Sequence, residues 1–160
     1  MSTPVKGGLL LGILTVLWTF VLGFTGWYKD PVMLNMFWLV ILIQLGVMIW
    51  ALRKTGAEGA TYGKQILNGL ILSVVGAVII FFGSLLFTSV VFPSYFEELR
   101  AAHTEILRNS GQSEEEIART VAGESSMQTP LGQAISGVMG TIATGLVFSL
   151  ILGIFFRKKN

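Results

Sequence analysis

Four long apolar stretches separated by short polar segments dominate the sequence. No Asp, Glu, Lys, Arg or His lies within residues 7–28, 31–52, 65–92 or 130–156. A hydrocarbon core of roughly 30 Å is crossed by about 20 apolar residues in a helix, and each stretch is at least that long. In lipid, a helix satisfies its own backbone polar groups, so each stretch predicts a transmembrane α-helix. The sequence therefore predicts one all-α membrane domain over residues 1–160, an integral membrane four-helix bundle.

Local signals mark the ends of these predicted spans. Asp30 and Thr129 each precede a proline, which predicts N-caps before the second and fourth spans. Pro93 predicts the end of the third span, because the residue before proline is pushed out of the α region. Aromatic residues fall near both predicted membrane interfaces, where amphipathic rings are favoured. They are Trp27, Tyr28 and Tyr95 at one interface, and Trp50, Tyr62, Phe155 and Phe156 at the other.

Residues 93–129, between the third and fourth spans, are predicted to form two short helices outside the membrane. Ser-x-x-Glu patterns at residues 94–97 and 113–116 match capping boxes at their starts. Gly111 and Gly123 are predicted to end the two helices. The segment carries three Arg and seven Glu. It suits either a connector folded over the bundle or an acidic surface for a basic partner.

The charges are divided unequally between the two sides of the predicted membrane. Both termini and residues 53–64 share one side, which holds seven of the 11 basic residues and one acid, Glu58. The other side holds four basic residues and eight acids. The positive-inside rule therefore predicts that both termini are cytoplasmic. Because the basic residues sit at the ends of apolar segments, the net charge of +2 does not indicate nucleic-acid binding.

No pattern for catalysis, nucleotide binding or metal binding occurs in the sequence. There is no Cys, and the single histidine, His103, has no second ligand nearby. The Gly-rich residues 56–63 lack the spacing of a phosphate-binding loop. Ionisable residues inside spans usually mark ion and proton pathways, and these spans contain none. We therefore expect no enzymatic activity, no metal and no cofactor.

Gln44 is the strongly polar residue nearest the middle of the second span. An unsatisfied amide at that depth would cost several kcal/mol, so it must face the bundle, a cavity or a partner. The simpler interpretation is an interhelical hydrogen bond, which contributes about 0.6 kcal/mol on average. The alternative is an amide that binds a solute. Gln65 and Asn68 lie near the cytoplasmic end of the third span and are expected to reach water.

The fourth span carries two stripes of small residues with a spacing of four. Such stripes let helices approach closely, as in G-x-x-x-G packing. They predict packing within the bundle, or docking of another membrane helix on part of this surface, including a second copy in a homo-oligomer. The first stripe is Gly132, Ser136, Gly140 and Thr144, and the second is Gly137, Thr141, Gly145, Ser149 and Gly153.

Several short motifs together suggest a family. They are the Lys-Gly-Gly entry at residues 6–8, the loop at 53–63, the Phe-Pro-Ser-Tyr-Phe-Glu-Glu run at 92–98, the turn and helix at 111–117, and the terminal Arg-Lys-Lys. With these, nearly the whole chain resembles the short, four-span bacterial membrane proteins catalogued as domain of unknown function 4199. That family brings no established activity. The resemblance implies the four-span architecture and the bacterial inner membrane, and it carries over no catalytic residue.

These features lead to one leading hypothesis about function. The uncharged spans, the small-residue stripes and the polar segment predict a non-catalytic structural or accessory protein, a subunit of a larger membrane complex. Its expected partners are lipids and the helices of other membrane proteins. A transporter or channel for a small solute or lipid is the alternative, and a membrane enzyme ranks third.

Overall fold

The computed structural model describes residues 1–30, 32–125 and 128–158. These residues form six α-helices and no strand. The helices are α1 (Thr3–Thr25), α2 (Leu39–Ala57), α3 (Tyr62–Leu86), α4 (Tyr95–Asn109), α5 (Glu114–Ser125) and α6 (Pro130–Phe156). Two 3₁₀ turns, Trp27–Lys29 and Met33–Trp38, connect α1 to α2, and a π-helical turn, Phe87–Val91, follows α3.

Four helical segments are long and apolar enough to cross a membrane. They are Thr3–Thr25, Asn35–Ala57, Tyr62–Val91 and Pro130–Phe156. The prediction of an all-helical protein with four such spans is therefore confirmed.

Regular α-helix in the second span begins later than the sequence suggested, at Leu39. Asp30 Oδ1 accepts hydrogen bonds from the backbone N–H groups of Val32 (2.8 Å) and Met33 (3.1 Å). Asp30 therefore caps the 3₁₀ turn that precedes α2. Pro31, the predicted first helical residue, lies outside the described residues.

Helix α3 is the centre of the bundle, because it packs along both α1 and α6, and α2 packs between those two helices. Glycines of α1 bring its backbone close to α3. A Cβ built on Gly8 would lie 2.6 Å from the Leu72 carbonyl oxygen, and one built on Gly12 would lie 2.6 Å from Ile79 Cβ. The buried core between the helices consists of Leu11, Val47, Met48, Ala51, Leu52 and Leu72.

The two ends of the bundle differ in charge. The basic end is the one where α1 begins, where α2 is followed by α3, and where α6 ends. At this end, the Lys158 N–H donates to the Ala60 carbonyl at 2.9 Å. Lys159 lies outside the described residues. The opposite, acidic end carries α4 and α5. A buried aromatic cluster at this end joins α4, through Tyr95 and Phe96, to Tyr28 and Phe87.

Helix-end signals around α5 and α6 form largely as predicted. Thr129 Oγ1 accepts a hydrogen bond from the Gly132 N–H at 3.0 Å. Ser113 and Glu116 form the reciprocal capping box, with the Ser113 N–H donating to Glu116 Oε2 at 2.9 Å and the Glu116 N–H donating to Ser113 Oγ at 3.3 Å. Gly111 is left-handed, with φ of 81°.

Helix α4 begins after Ser94 as predicted, but the predicted capping box with Glu97 does not form. The Ser94 hydroxyl instead donates to Glu98 at 3.0 Å, and Glu98 also contacts Tyr28 and Lys29. The predicted end of the second short helix was wrong. Helix α5 continues past Gly123 to Ser125, so that glycine does not end the helix.

Candidate functional site

Gln44 lies on the buried face of α2 and is 5% exposed. Its Nε2 donates to the Thr141 carbonyl at 2.8 Å, and Thr144 Oγ1 donates to its Oε1 at 2.8 Å. Both ends of the amide are thus bonded to α6. In lipid, such a bond holds two helices together and satisfies a polar group that hydrocarbon would leave unpaired.

Glycines and serines face each other between α3 and α6. A Cβ built on Gly145 would lie 1.8 Å from Ser73 Oγ, and one built on Gly69 would lie 1.8 Å from Ser149 Oγ. Both serines are fully buried, and each donates to the carbonyl four residues earlier in its own helix. Their hydroxyls are therefore satisfied without a partner across the interface. We call this arrangement the glycine–serine seam.

Gln65 ties the helix ends together at the basic end. Its Nε2 donates to the carbonyls of Leu52 and Phe156, both at 2.9 Å, and its Oε1 accepts from Thr55 Oγ1 at 2.7 Å. The expectation that Gln65 reaches water was wrong, since its exposed fraction is 0%. The last carbonyls of a helix lack intrahelical partners, and Gln65 supplies one to Phe156, the last residue of α6.

Gly56 allows the ends of α2 and α6 to meet so closely. A Cβ built on it would lie 1.9 Å from the Phe156 carbonyl oxygen. Sequence reasoning missed the role of both Gln65 and Gly56. A polar residue one turn into a span is ordinarily solvated, and no local pattern indicates that the end of α6 covers it.

The two small-residue stripes of α6 have different environments. In the second stripe, Gly145, Ser149 and Gly153 are buried, whereas in the first stripe Ser136 and Gly140 are exposed. A Cβ built on Gly140 would meet nothing within 4 Å. The remaining members, Gly132, Gly137, Thr141 and Thr144, are half-buried. The structure thus turns one stripe towards the bundle and leaves the middle of the other on its surface.

A hydrogen-bonded cluster around the single carboxylate of Glu98 lies at the acidic end. Glu98 accepts hydrogen bonds from the Tyr28 and Ser94 hydroxyls, and Lys29 Nζ lies 2.8 Å from Glu98 Oε2. The hydrogen bond from Lys29, followed by those from Tyr28 and Ser94, lowers the pKa of Glu98 from 4.5 to about 2. Burial, followed by the contact with Glu98, raises the pKa of Tyr28. No sequence pattern linked residues 28 and 29 to residue 98, so this cluster was not predicted.

Among the described residues, no group of three or more His, Asp or Glu side chains is placed to hold a metal ion. His103, the one histidine, lies half-buried on α4.

The comparisons with known proteins give one match. A family model described as "Protein of unknown function (DUF4199)" matches residues 6–158. No curated protein and no solved structure matches the chain. The matched range takes in nearly all of the architecture described above, including α4 and α5.

Proposed function

The chain belongs to the DUF4199 family of proteins of unknown function, and we propose that it is a non-catalytic accessory membrane protein that docks a helix of a larger membrane complex. The docking surface is the exposed part of α6 around Ser136 and Gly140. The observation that carries the proposal is that α6 is the least enclosed span. Only 17% of its most apolar window is buried within the chain, against 39% for α1.

A helix glycine that allows no close contact with another helix destabilises the helix without a compensating gain. Glycine in a helix interior costs about 0.5–1 kcal/mol relative to alanine. Inside the bundle, glycines such as Gly145 offset this cost through close helix contact, but a Cβ built on Gly140 would meet nothing within 4 Å. Because helix association in lipid depends on close packing, a neighbouring helix seated at Gly140 would give this residue the same role.

Gln44 supports this accessory role over transport. A solute-binding amide must be accessible to the solute, whereas Gln44 is 5% exposed and engages Thr141 through Nε2 and Thr144 through Oε1. We predict that Gln44→Leu changes stability by about 1 kcal/mol or less, as for other interhelical hydrogen bonds. Loss of a transport or growth phenotype by a folded Gln44→Leu variant would favour the solute-binding alternative.

The proposal also includes an orientation in the bacterial inner membrane, with the basic end in the cytoplasm. The chain has no cysteine, so single cysteines can report on it cleanly. Gln112 and Ala57 are exposed at opposite ends. In intact cells, a membrane-impermeant thiol reagent should label Gln112→Cys and not Ala57→Cys. The reverse pattern would overturn the orientation.

Three leucine substitutions test the docking surface. Gly145→Leu should destabilise the isolated protein by about 3 kcal/mol, because bulk is forced into a closed contact. Gly140→Leu should leave the monomer folded and release the partner. Gly46→Leu, at another glycine with nothing within 4 Å, adds the same bulk to α2 and should leave the partner bound.

The readouts are thermal stability in detergent and the native mass of the gently purified protein, with mass spectrometry of co-purifying chains. A mass that is a multiple of 17.4 kDa would identify the partner helix as a second copy. If Gly140→Leu and Gly46→Leu have the same effect on the assembly mass, the docking surface on α6 is wrong.

A further inference from the structure

The outward face of α2 carries a groove near the basic end. The groove has a volume of about 460 Å³ and is lined by Gly46, Ile49, Trp50, Arg53 and Lys54. These positions recur at steps of three and four, so they form one helix face. The opposite face of α2 packs into the bundle through Gln44, Val47, Met48, Ala51, Leu52 and Thr55.

Two unpaired cations form the rim of this groove. Arg53 and Lys54 are exposed, and neither side chain forms a hydrogen bond or ion pair with the described residues. No acidic residue lines the groove. Both side chains stand where the apolar part of α2 ends, which is the depth of lipid headgroups. The rim is therefore complementary to an anion at the membrane surface.

Below the rim, the groove is apolar and shallow. Trp50 is 44% exposed one turn deeper in the span, and Gly46 lies one further turn below it. A Cβ built on Gly46 would meet nothing within 4 Å, so packing inside the chain does not require this glycine. The rise of a helix puts Gly46 about 10 Å below Arg53 along the helix axis. A ligand complementary to this face has an anionic head and an apolar tail.

We propose that this groove binds an anionic phospholipid. Arg53 and Lys54 hold the headgroup phosphate, and an acyl chain lies along Trp50 and into the dent at Gly46. The charge distinguishes this site from the exposed surface at Gly140, because residues 130–156 carry no charge. A neutral helix surface favours contact with another helix, whereas an apolar groove below two cations favours an anionic lipid. This inference does not depend on the helix-docking proposal.

Fluorescence quenching of Trp50 can test the lipid preference. Replacing Trp18, Trp27 and Trp38 by Phe leaves Trp50 as the one tryptophan of the full chain. The protein is reconstituted in phosphatidylcholine vesicles containing a small, equal fraction of either acyl-brominated phosphatidylglycerol or acyl-brominated phosphatidylcholine. Bromine quenches tryptophan on contact, so the stronger quencher is the lipid enriched in the groove. We expect stronger quenching by phosphatidylglycerol.

Matched charge variants decide whether the groove causes that preference. Removing Arg53 and Lys54 together (R53Q and K54Q) should abolish the preference, with each cation contributing about fivefold to lipid association. Removing Arg157 and Lys158 (R157Q and K158Q) takes two charges from the same end outside the groove and should retain it. Gly46→Leu should weaken quenching by both lipids. Equal quenching by the two lipids in the unmodified groove, or equal loss in both charge variants, would overturn the proposal.

Discussion

The two ends of the bundle are closed by different chemistry. At the basic end, the neutral amide of Gln65 is fully buried and bonds to Leu52, Thr55 and Phe156. At the acidic end, the ionised carboxylate of Glu98, partly open to water, bonds to Tyr28 and Lys29. A buried charge costs far more than a buried amide, so a carboxylate is suited only to the end where water reaches it. The basic end should therefore be stable across pH, and the acidic end should depend on it.

The largest expected effect is at Gln65. Gln65→Leu keeps the side-chain size and removes three hydrogen bonds. The Thr55 hydroxyl still donates to the Leu52 carbonyl at 3.2 Å, so the group left without its partner is the Phe156 carbonyl. An unsatisfied buried carbonyl costs about 1–3 kcal/mol and each of the other two lost bonds about 0.5–1.5 kcal/mol, so we expect a loss of roughly 2–6 kcal/mol. Thermal or denaturant unfolding in detergent measures it. Asn68→Leu is the control on the same helix and should change stability little, since Asn68 is only half-buried. If the two substitutions destabilise the protein equally, the hydrogen bonds of Gln65 do not stabilise the basic end.

A smaller effect is expected at Gly56. Gly56→Ala places a methyl group 1.9 Å from the Phe156 carbonyl oxygen, so the ends of α2 and α6 must separate. Overpacking of this kind costs about 1–3 kcal/mol. Gly63→Ala is the matched control, because a Cβ there meets nothing within 4 Å, and it should be neutral or slightly stabilising. The difference in unfolding free energy between the two variants measures how tight the contact is. If Gly63→Ala is as destabilising as Gly56→Ala, the close approach at the basic end does not determine stability.

The smallest effect is at Glu98, and it depends on pH. Its pKa falls from 4.5 to about 2 in the folded protein, so its contribution to stability is present above pH 4.5 and is lost as pH falls towards 2. The protection factors of backbone amides of α4, which compare their exchange rates with those of an unfolded chain at the same pH, should therefore fall several-fold at the acid end of that window. Glu98→Gln should show the lower protection already at neutral pH and lose this part of the pH dependence. Amides around Gln65 serve as the internal reference and should not respond. A response of equal size at both ends would contradict the contrast between them.

The parts of the fold that depend on local sequence were predictable. Uncharged stretches of sufficient length give the four spans, and Thr129 and the Ser113–Glu116 pair cap their helices because such caps involve residues three apart. Contacts between distant parts of the sequence were not predictable. Ser94 donates to Glu98 rather than pairing with Glu97 in a capping box, and Glu98 also accepts from Tyr28, 70 residues away in sequence.

The candidate site was predicted only in outline. Gln44 was expected to need a partner, but that partner lies about 100 residues away on α6, and nothing local specifies which face of α6 meets α2. The two stripes of α6 were recognised from their spacing. Which stripe lies inside depends on the matching Gly69 and Ser73 of α3, and sequence spacing within α6 carries no information about that match.

The glycine–serine seam also fixes the register of two antiparallel helices. In the observed alignment, Gly69 faces Ser149 and Ser73 faces Gly145, while Gly153 lies against Gln65. A slip of four residues in one direction would set Ser73 against Ser149, where there is no room for two side chains. A slip in the other direction would set Gly69 against Gly145 and leave a void. Either misalignment loses packing between the two helices. The contact with α3 therefore determines how deeply α6 sits in the bilayer, and so the depth of the exposed surface at Gly140.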